Sequence, residues 1–280
     1  MIALQHKSVI IDEFKRKSDI IKEETKLIEE KNKILEEQNV NLKELNNEKN
    51  NVISVVSHDL KAPLNRVFAL SNLIYLSGDN LTKEQKGYMD KMNIVVRDGL
   101  DLIRNLLDIR AIEFKGVQMH LEIVDLKQII TSLVKTYKPY MQKKQQEIII
   151  KTTGDNFRFK SDRQYLNRIF DNLVSNAVKF STLRSIITIQ ISSQAENIIV
   201  EVEDQGPGIS NEDQNKLFQK YQVLTAKPTG GESSTGLGLS ITHTLIGFLQ
   251  GKITHRNKGQ QEWGSIFTVE FPTQLSNPDS

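Results

Sequence analysis

From residue 8 to about residue 50 the chain carries no glycine or proline and places an apolar side chain at every seventh position. Few folds other than a long α-helix are open to such a segment. Phe14, Ile21, Ile28, Leu35 and Leu42 make one seam column; the second is poor, with Glu24, Lys31 and Gln38 before Leu45 restores an apolar residue. A solitary charged helix is one reading. A weak parallel coiled coil is the expectation adopted, because the helix runs unbroken into the segment that follows. The chain's 280 residues allow two modest domains plus this extension. The lack of cysteine excludes disulfides and thiolate metal sites and fits a reducing compartment. A net charge of +2 gives no reason to expect nucleic acid or an acidic membrane surface as partner. No apolar run approaches the ~20 residues that span a bilayer, and the N-terminus lacks a signal peptide's apolar core. The expected location is the cytoplasm.

From Val52 to Tyr75, Ile53, Val56, Leu60, Leu64, Val67, Ser71 and Ile74 follow the three-or-four spacing of one buried helical face. Ser77-Gly-Asp-Asn80 has turn chemistry. A second helix runs from about Thr82 to Ile112, with Met89, Met92, Val96, Leu100, Ile103, Leu106 and Leu107 as its stripe. A hairpin alone cannot cover both stripes, so it is expected to dimerise into a four-helix bundle. After Gly116 the pattern is mixed. Asp125 can cap a helix to about Gln142, ended or kinked by Pro139. Strands are expected at Ile148–Thr152, Ser185–Ser192, Asn197–Glu203, Gly251–Arg256 and Ser265–Phe271, with helices at about 162–180 and 235–250. There is no regular βαβ alternation, so an α/β sandwich with a mixed sheet is the expected fold. The domains read as a coiled-coil helix at 1–50, a helical hairpin at 51–115 and an α/β domain at 116–280.

Within Ser57-His-Asp-Leu-Lys-Ala-Pro-Leu64, His58 points almost opposite to the stripe of Ile53, Leu60 and Val67, on the solvent face. Asp59 can hydrogen-bond the imidazole or take its proton, leaving the other ring nitrogen as a nucleophile. Pro63 has no N–H for the Asp59 carbonyl, which loosens the helix one turn after the histidine.

Farther on, Ser161 with Gln164 reads as a capping-box start. The helix that follows would bury Leu166, Ile169, Phe170, Leu173 and Ala177. Asn172, Asn176 and Lys179 then cluster on a flank roughly 120° away. Amide oxygens suit Mg²⁺, and the lysine offers phosphate a point charge. A solvated Asn/Lys face is the bland alternative. Asp204-Gln-Gly-Pro-Gly208 follows a strand; a carboxylate there can accept from the exocyclic amine of adenine, and Gly206 and Gly208 let the backbone approach the base. Residues 219–235, with Gly230-Gly231, have the composition of a mobile lid. Thr235-Gly-Leu-Gly-Leu-Ser240 opens a helix, whose N–H groups favour phosphate beside Gly236 and Gly238. It is neither a Walker loop nor a Rossmann turn.

These elements, in this order, resemble the H, N, G1 and G2 boxes of the sensor histidine protein kinases of two-component systems, over about residues 50 to 273. The resemblance implies a phosphotransfer hairpin followed by an ATP-binding domain of the GHKL (Bergerat) type. It implies His58 as phosphoacceptor, Asp59 as helper acid or base and Pro63 as the bend. Asn176 would be the Mg²⁺ ligand, Asn172 a supporting polar group, Lys179 a phosphate contact and Phe180 part of the adenine wall. Lys216-Leu-Phe218 resembles the F box, where Phe218 would anchor the loop over ATP. The implied cofactors are ATP and Mg²⁺; the implied partners are a second copy of the chain and the receiver domain of a response regulator. The chain would then be either a free cytosolic protein or the interior portion of a longer membrane receptor. One departure is Ala62, where many relatives carry Thr or Asn to position water; it implies weak or absent phosphatase activity. Two alternatives stay open: a GHKL ATPase or serine kinase of another branch, and a catalytically inactive scaffold.

Overall fold

The computed structural model describes residues 2–77, 81–113, 119–194, 196–230, 235–259 and 263–274. They divide into two compact units, 1–56 and 57–280. In the first, helix α1 (Ile2–Ser77) leaves the seam positions Ile21, Ile28, Leu35 and Leu42 54–64% exposed. The side chain of Phe14, the turn residues 78–80 and Gly231 lie outside the described residues. Among the described residues no helix is long and apolar enough to cross a membrane.

In the second unit, α1 continues through Pro63 without ending there. Helix α2 (Lys83–Glu113) begins at a reciprocal cap: Gln85 N donates to Thr82 Oγ1 (3.2 Å) and Thr82 N to Gln85 Oε1 (2.9 Å). It meets α1 on the side that carries Leu64, where a Cβ on Gly99 would lie 3.1 Å from Leu64 Cδ1. Ser57 and Ser71 are buried, whereas Val56, Leu60, Val67 and Ile74 of the expected stripe remain 39–49% exposed. One partner helix covers a narrower arc than the stripe offers.

The rest is β1 (Leu121–Asp125), α3 (Leu126–Lys144), β2 (Glu147–Thr153), β3 (Arg158–Asp162), α4 (Arg163–Phe180), β4 (Ile186–Ser193), β5 (Asn197–Glu203), α5 (Asn211–Gln214), α6 (Gly238–Phe248), β6 (Lys252–Asn257) and β7 (Ser265–Pro272). The main sheet runs β2-β4-β5-β7-β6, with β2 parallel to β4 and the other pairs antiparallel. Alternate residues Ile187, Ile189 and Ile191 of β4 and Ile198, Val200 and Val202 of β5 are buried, as the period of two demands. They pack with the buried face of α4, and Phe271 of β7 bridges Phe159 and Phe170 at 5.8 and 6.2 Å between ring centres. β1 and β3 form a separate antiparallel ribbon that the sequence reading did not contain.

Two helix boundaries differ from expectation. Asp162, not Ser161, caps α4: its Oδ1 accepts from Gln164 N (2.8 Å) and Tyr165 N (3.0 Å). Ser161 is a buried position of β3, so its hydroxyl belongs to the ribbon rather than the cap. α3 passes Pro139 and ends at Lys144, closed by Gln145 in the left-handed region. Tyr140 and Met141, beyond the proline, pack into the core and hold this last turn.

His255 on β6 packs against Phe267 with ring centres 5.0 Å apart and planes tilted by 53°, and its Nε2 is buried without a hydrogen-bond partner. Burial lowers its pKa to about 4. The unfolded chain therefore binds the extra proton first, and the histidine's contribution to stability is complete above pH ~6.5 and is lost as pH falls towards 4. Between pH 7 and 5 the expected loss is about 1 kcal/mol, discounted from the full shift for partial exposure. Thermal melts should show this slope in the wild type and a flatter one in His255→Phe.

Candidate functional site

A cavity of about 730 Å³ opens beside the exposed flank of α4. Asn172, Asn176, Lys179 and Phe180 all line it, while Leu173, Val174 and Ala177 of the same helix face the core. The amphipathic pattern of α4 thus sorts the polar side chains into the cavity. Asp204, Gly208, Gly236 and Gly238 line it too, brought in by the end of β5 and the start of α6.

Asp204 is fixed by its neighbours. Its Oδ1 accepts from Gly206 N (2.8 Å) and Ser265 N (3.0 Å), and its own N–H donates to the Ser265 carbonyl (2.9 Å). Both recorded bonds fall on Oδ1, so Oδ2 is the oxygen a ligand in the cavity can use. Burial raises the pKa of this carboxyl; the two backbone N–H groups oppose the shift. Gly208 sits at φ 74° where Asn257 clamps the turn, taking Ile209 N on Oδ1 (2.9 Å) and giving Nδ2 to Ile209 O (2.8 Å). Gly206 lies against the Phe180 carbonyl and lines a neighbouring cleft with Pro207 and Trp263.

Gly236 has φ 66°, and a Cβ there would come within 2.5 Å of the Gln222 carbonyl oxygen. Gly238 heads α6, and a Cβ on it would overlap the Asn172 amide, which donates to Thr242 Oγ1 (2.9 Å). Leu237 caps α6 without a side-chain hydrogen bond. The first N–H groups of the helix are thereby left to an anion. The described part of the expected lid is tied down twice: Thr225 N and Oγ1 donate to Asp213 Oδ2 (2.9 and 2.6 Å), and Thr229 N donates to Lys179 O (3.0 Å). The Thr225 bonds hold the Asp213 carboxyl below its usual pKa.

The donor set suits Mg²⁺ bound with a polyphosphate. Asn176 and Asn172 offer neutral amide oxygens, and among the described residues no cluster of three His, Cys, Asp or Glu competes as a closed metal cage. A hard ion held by one or two protein oxygens takes its other ligands from phosphate and water.

The other expected residues lie elsewhere. His58 and Asp59 are on α1, with side chains 86% and 71% exposed and Nδ1 3.3 Å from Oδ1, which turns Nε2 away from the carboxylate. Neither lines the cavity. Phe218 packs at the core edge and stacks with His243 at 5.2 Å. The sequence reading missed Asn257, Thr242 and Gly264, whose roles depend on partners far along the chain. It also missed α2's share of the cavity, including Arg104 and Asn105.

Residues 161–275 match the family model described as "Histidine kinase-, DNA gyrase B-, and HSP90-like ATPase". The chain is 29% identical over 232 residues to the circadian input-output histidine kinase CikA of Synechococcus elongatus, covering 82% of this chain and 30% of that protein. It therefore spans under a third of that relative's length. In fold it is similar to full-length ShkA in complex with AMPPNP (TM-score 0.58, 23% identity, 80% of this chain and 46% of that one). It is also similar to the histidine kinase ThkA in complex with the response regulator protein TrrA (TM-score 0.55, 20% identity, 79% and 60%). Residues 161–275 thus match an ATPase domain of the histidine kinase, DNA gyrase B and HSP90 type, and over most of its length the chain is similar in sequence to a histidine kinase.

Proposed function

We propose that this chain is the catalytic core of a sensor histidine kinase that moves the γ-phosphoryl group of ATP onto His58 and then to an aspartate of a response regulator. The observation that carries the reading is the cavity itself, where a buried, doubly held Asp204 faces the same space as Asn176, Lys179 and the uncapped start of α6. Asp204 Oδ2 would take the adenine amine, Phe180 would wall the base, and the N–H groups after Gly236 and Gly238 would hold phosphate. Asn176, with Asn172 beside it, would hold Mg²⁺, which when bound offsets charge on the phosphates. His58 Nε2 would attack the γ-phosphorus as its bond to the bridging oxygen breaks and ADP leaves, while Asp59 takes the Nδ1 proton.

In this reading residues 1–50 form a signalling coiled coil, 51–115 the phosphotransfer hairpin and 116–280 the ATP-binding domain. Homodimerisation is supported by Val56, Leu60, Val67 and Ile74, which share one face of α1 and are 39–49% exposed. A face of that kind is the seam of a four-helix bundle. Ala62 supports kinase over phosphatase output: the purified protein should leave its phosphorylated partner intact over the time in which it labels itself.

The test is incubation with γ-labelled ATP and Mg²⁺, followed by acid and alkali treatment. An acid-labile, alkali-stable label supports phosphohistidine. An acid-stable label points to the serine-kinase branch, and nucleotide binding without any label points to a scaffold.

A further inference from the structure

Helix α2 carries a polar strip that the reading above leaves without a role. Asp90, Arg97, Arg104, Asn105 and Asp108 fall on one helical face, and each meets a side chain of the α/β domain or, for Asn105, of two of its elements. Asp90 accepts from Lys143 Nζ (2.6 Å), and Arg97 lies between the rings of Phe68 and Tyr140 at 5.0 and 4.4 Å. Arg104 approaches Asp171 (3.8 Å), which accepts from the Tyr137 hydroxyl (2.6 Å). Arg168 of α4 donates to Asp108 Oδ2 (2.6 Å) and to Asn105 Oδ1 (2.5 Å).

Asn105 is 6% exposed and uses both ends of its amide. Oδ1 takes Arg168, while Nδ2 donates to Thr235 Oγ1 (3.2 Å). Thr235 immediately precedes Gly236, the left-handed residue whose Cα is pressed on the Gln222 backbone. The loop therefore has one fixed side at Gln222, and its entry is held from α2. A buried amide that accepts from a guanidinium has its orientation set by that bond, because a carbonyl and not an NH₂ must face Arg168. Arg168 thus aims the Nδ2 donor at the loop.

We propose that Asn105 is a positioning residue for the phosphate loop: oriented by Arg168, it holds Thr235 so that the loop at Gly236–Gly238 is preformed for the triphosphate of a nucleotide. This rests on the nucleotide reading of the cavity. Because the same bond joins hairpin and loop, nucleotide binding and the docking of α2 strengthen each other, by the reciprocity that linkage requires. Asn105 has no contact with the reacting atoms in this scheme; it acts through Thr235.

The test uses the full chain and Mg²⁺ with AMPPNP. Asn105→Leu removes the amide that meets Thr235 while Arg168 keeps Asp108 as its partner, whereas Thr235→Val removes the hydroxyl alone from a half-buried position and keeps its shape. Each is expected to weaken binding by roughly three- to tenfold, the worth of one such hydrogen bond. The double variant should be no weaker than either single one, and Thr235→Ser should restore wild-type affinity. AMPPNP should also slow amide exchange across residues 100–108 in the wild type and not in Thr235→Val. Unchanged affinity in Asn105→Leu, or additive losses in the double variant, overturns the positioning role while leaving the nucleotide reading in place. Failure of the wild type to bind AMPPNP overturns both.

Discussion

His58→Gln is expected to abolish incorporation of label from γ-labelled ATP while leaving the affinity for Mg²⁺ and AMPPNP unchanged. Glutamine keeps the polarity and approximate reach of the side chain but has no ring nitrogen with a lone pair to attack phosphorus. The loss should be complete within detection, because no other side chain on this face of α1 combines a nucleophilic nitrogen with an adjacent carboxylate: Ser54, Lys61, Asn65 and Asn72 are its companions. The fold should be unaffected, since the imidazole is 86% exposed and its one recorded bond, to Asp59, is long at 3.3 Å. Surface changes of this kind lie within about 0.5 kcal/mol. Filter-bound label and an AMPPNP titration on the same preparations separate chemistry from binding. Label that persists in His58→Gln would place the acceptor elsewhere and end the histidine kinase reading. Loss of AMPPNP binding together with label would show a folding defect, which a thermal melt would expose.

Gly264→Ala is expected to cost about 3 kcal/mol of stability and to remove most nucleotide binding. Gly264 has φ 141°, a region that side-chain-bearing residues reach only at a cost of about 1–3 kcal/mol. A Cβ there would also overlap the backbone carbonyl of Asp204, which cannot rotate away as a side-chain tip could. The carbonyl belongs to the residue whose carboxylate is held by Ser265 N, one position after the glycine. Relief of the clash therefore displaces the group proposed to read adenine. A melt shifted down by about 10 °C, with AMPPNP affinity reduced far beyond the shift in folded population, is the expected pair of results. An unchanged melt would show that the turn repacks freely, and that Asp204 is not as rigidly placed as its hydrogen bonds imply.

What the sequence disclosed follows the length scale of each interaction. α1, α2 and α4 declared themselves through stripes of period 3.6 sustained over many turns, and β4, β5 and β7 through alternation over seven or eight residues. β1 and β3 have five residues each, and in β3 the outward positions Arg158 and Lys160 dilute the apolar signal of Phe159. Alternation over so few positions does not separate a strand from a loop. The same ribbon moved the cap of α4: once Ser161 is paired to Glu122 in β3, Asp162 is the first residue free to turn its side chain onto the helix. The cavity residues on α4 were legible because they share one flank of one helix. Asp204 and the glycines were legible from their place after a strand or before a helix. The supports were not. Asn257 holds Ile209 from 48 positions away, and Asn105 reaches Thr235 across 130. Each is a polar residue in an unremarkable local context, and only the folded chain gives it a partner.

The strip along α2 has a gradient that bears on how the α/β domain would come away from the hairpin. At one end, the Asp90–Lys143 pair stands 42% and 64% exposed; at the other, Asp108 and Arg168 are only 26% and 17% exposed. Dissolved salt screens the first pair strongly and the second weakly, since ions approach within the ~8 Å screening length only where water does. The apolar contact of Leu64 with α2 has no such sensitivity. Rising ionic strength thus loosens the strip from its Asp90 end while the Arg168 end stays fastened, so the domain swings about the half-buried pair instead of lifting off as a whole.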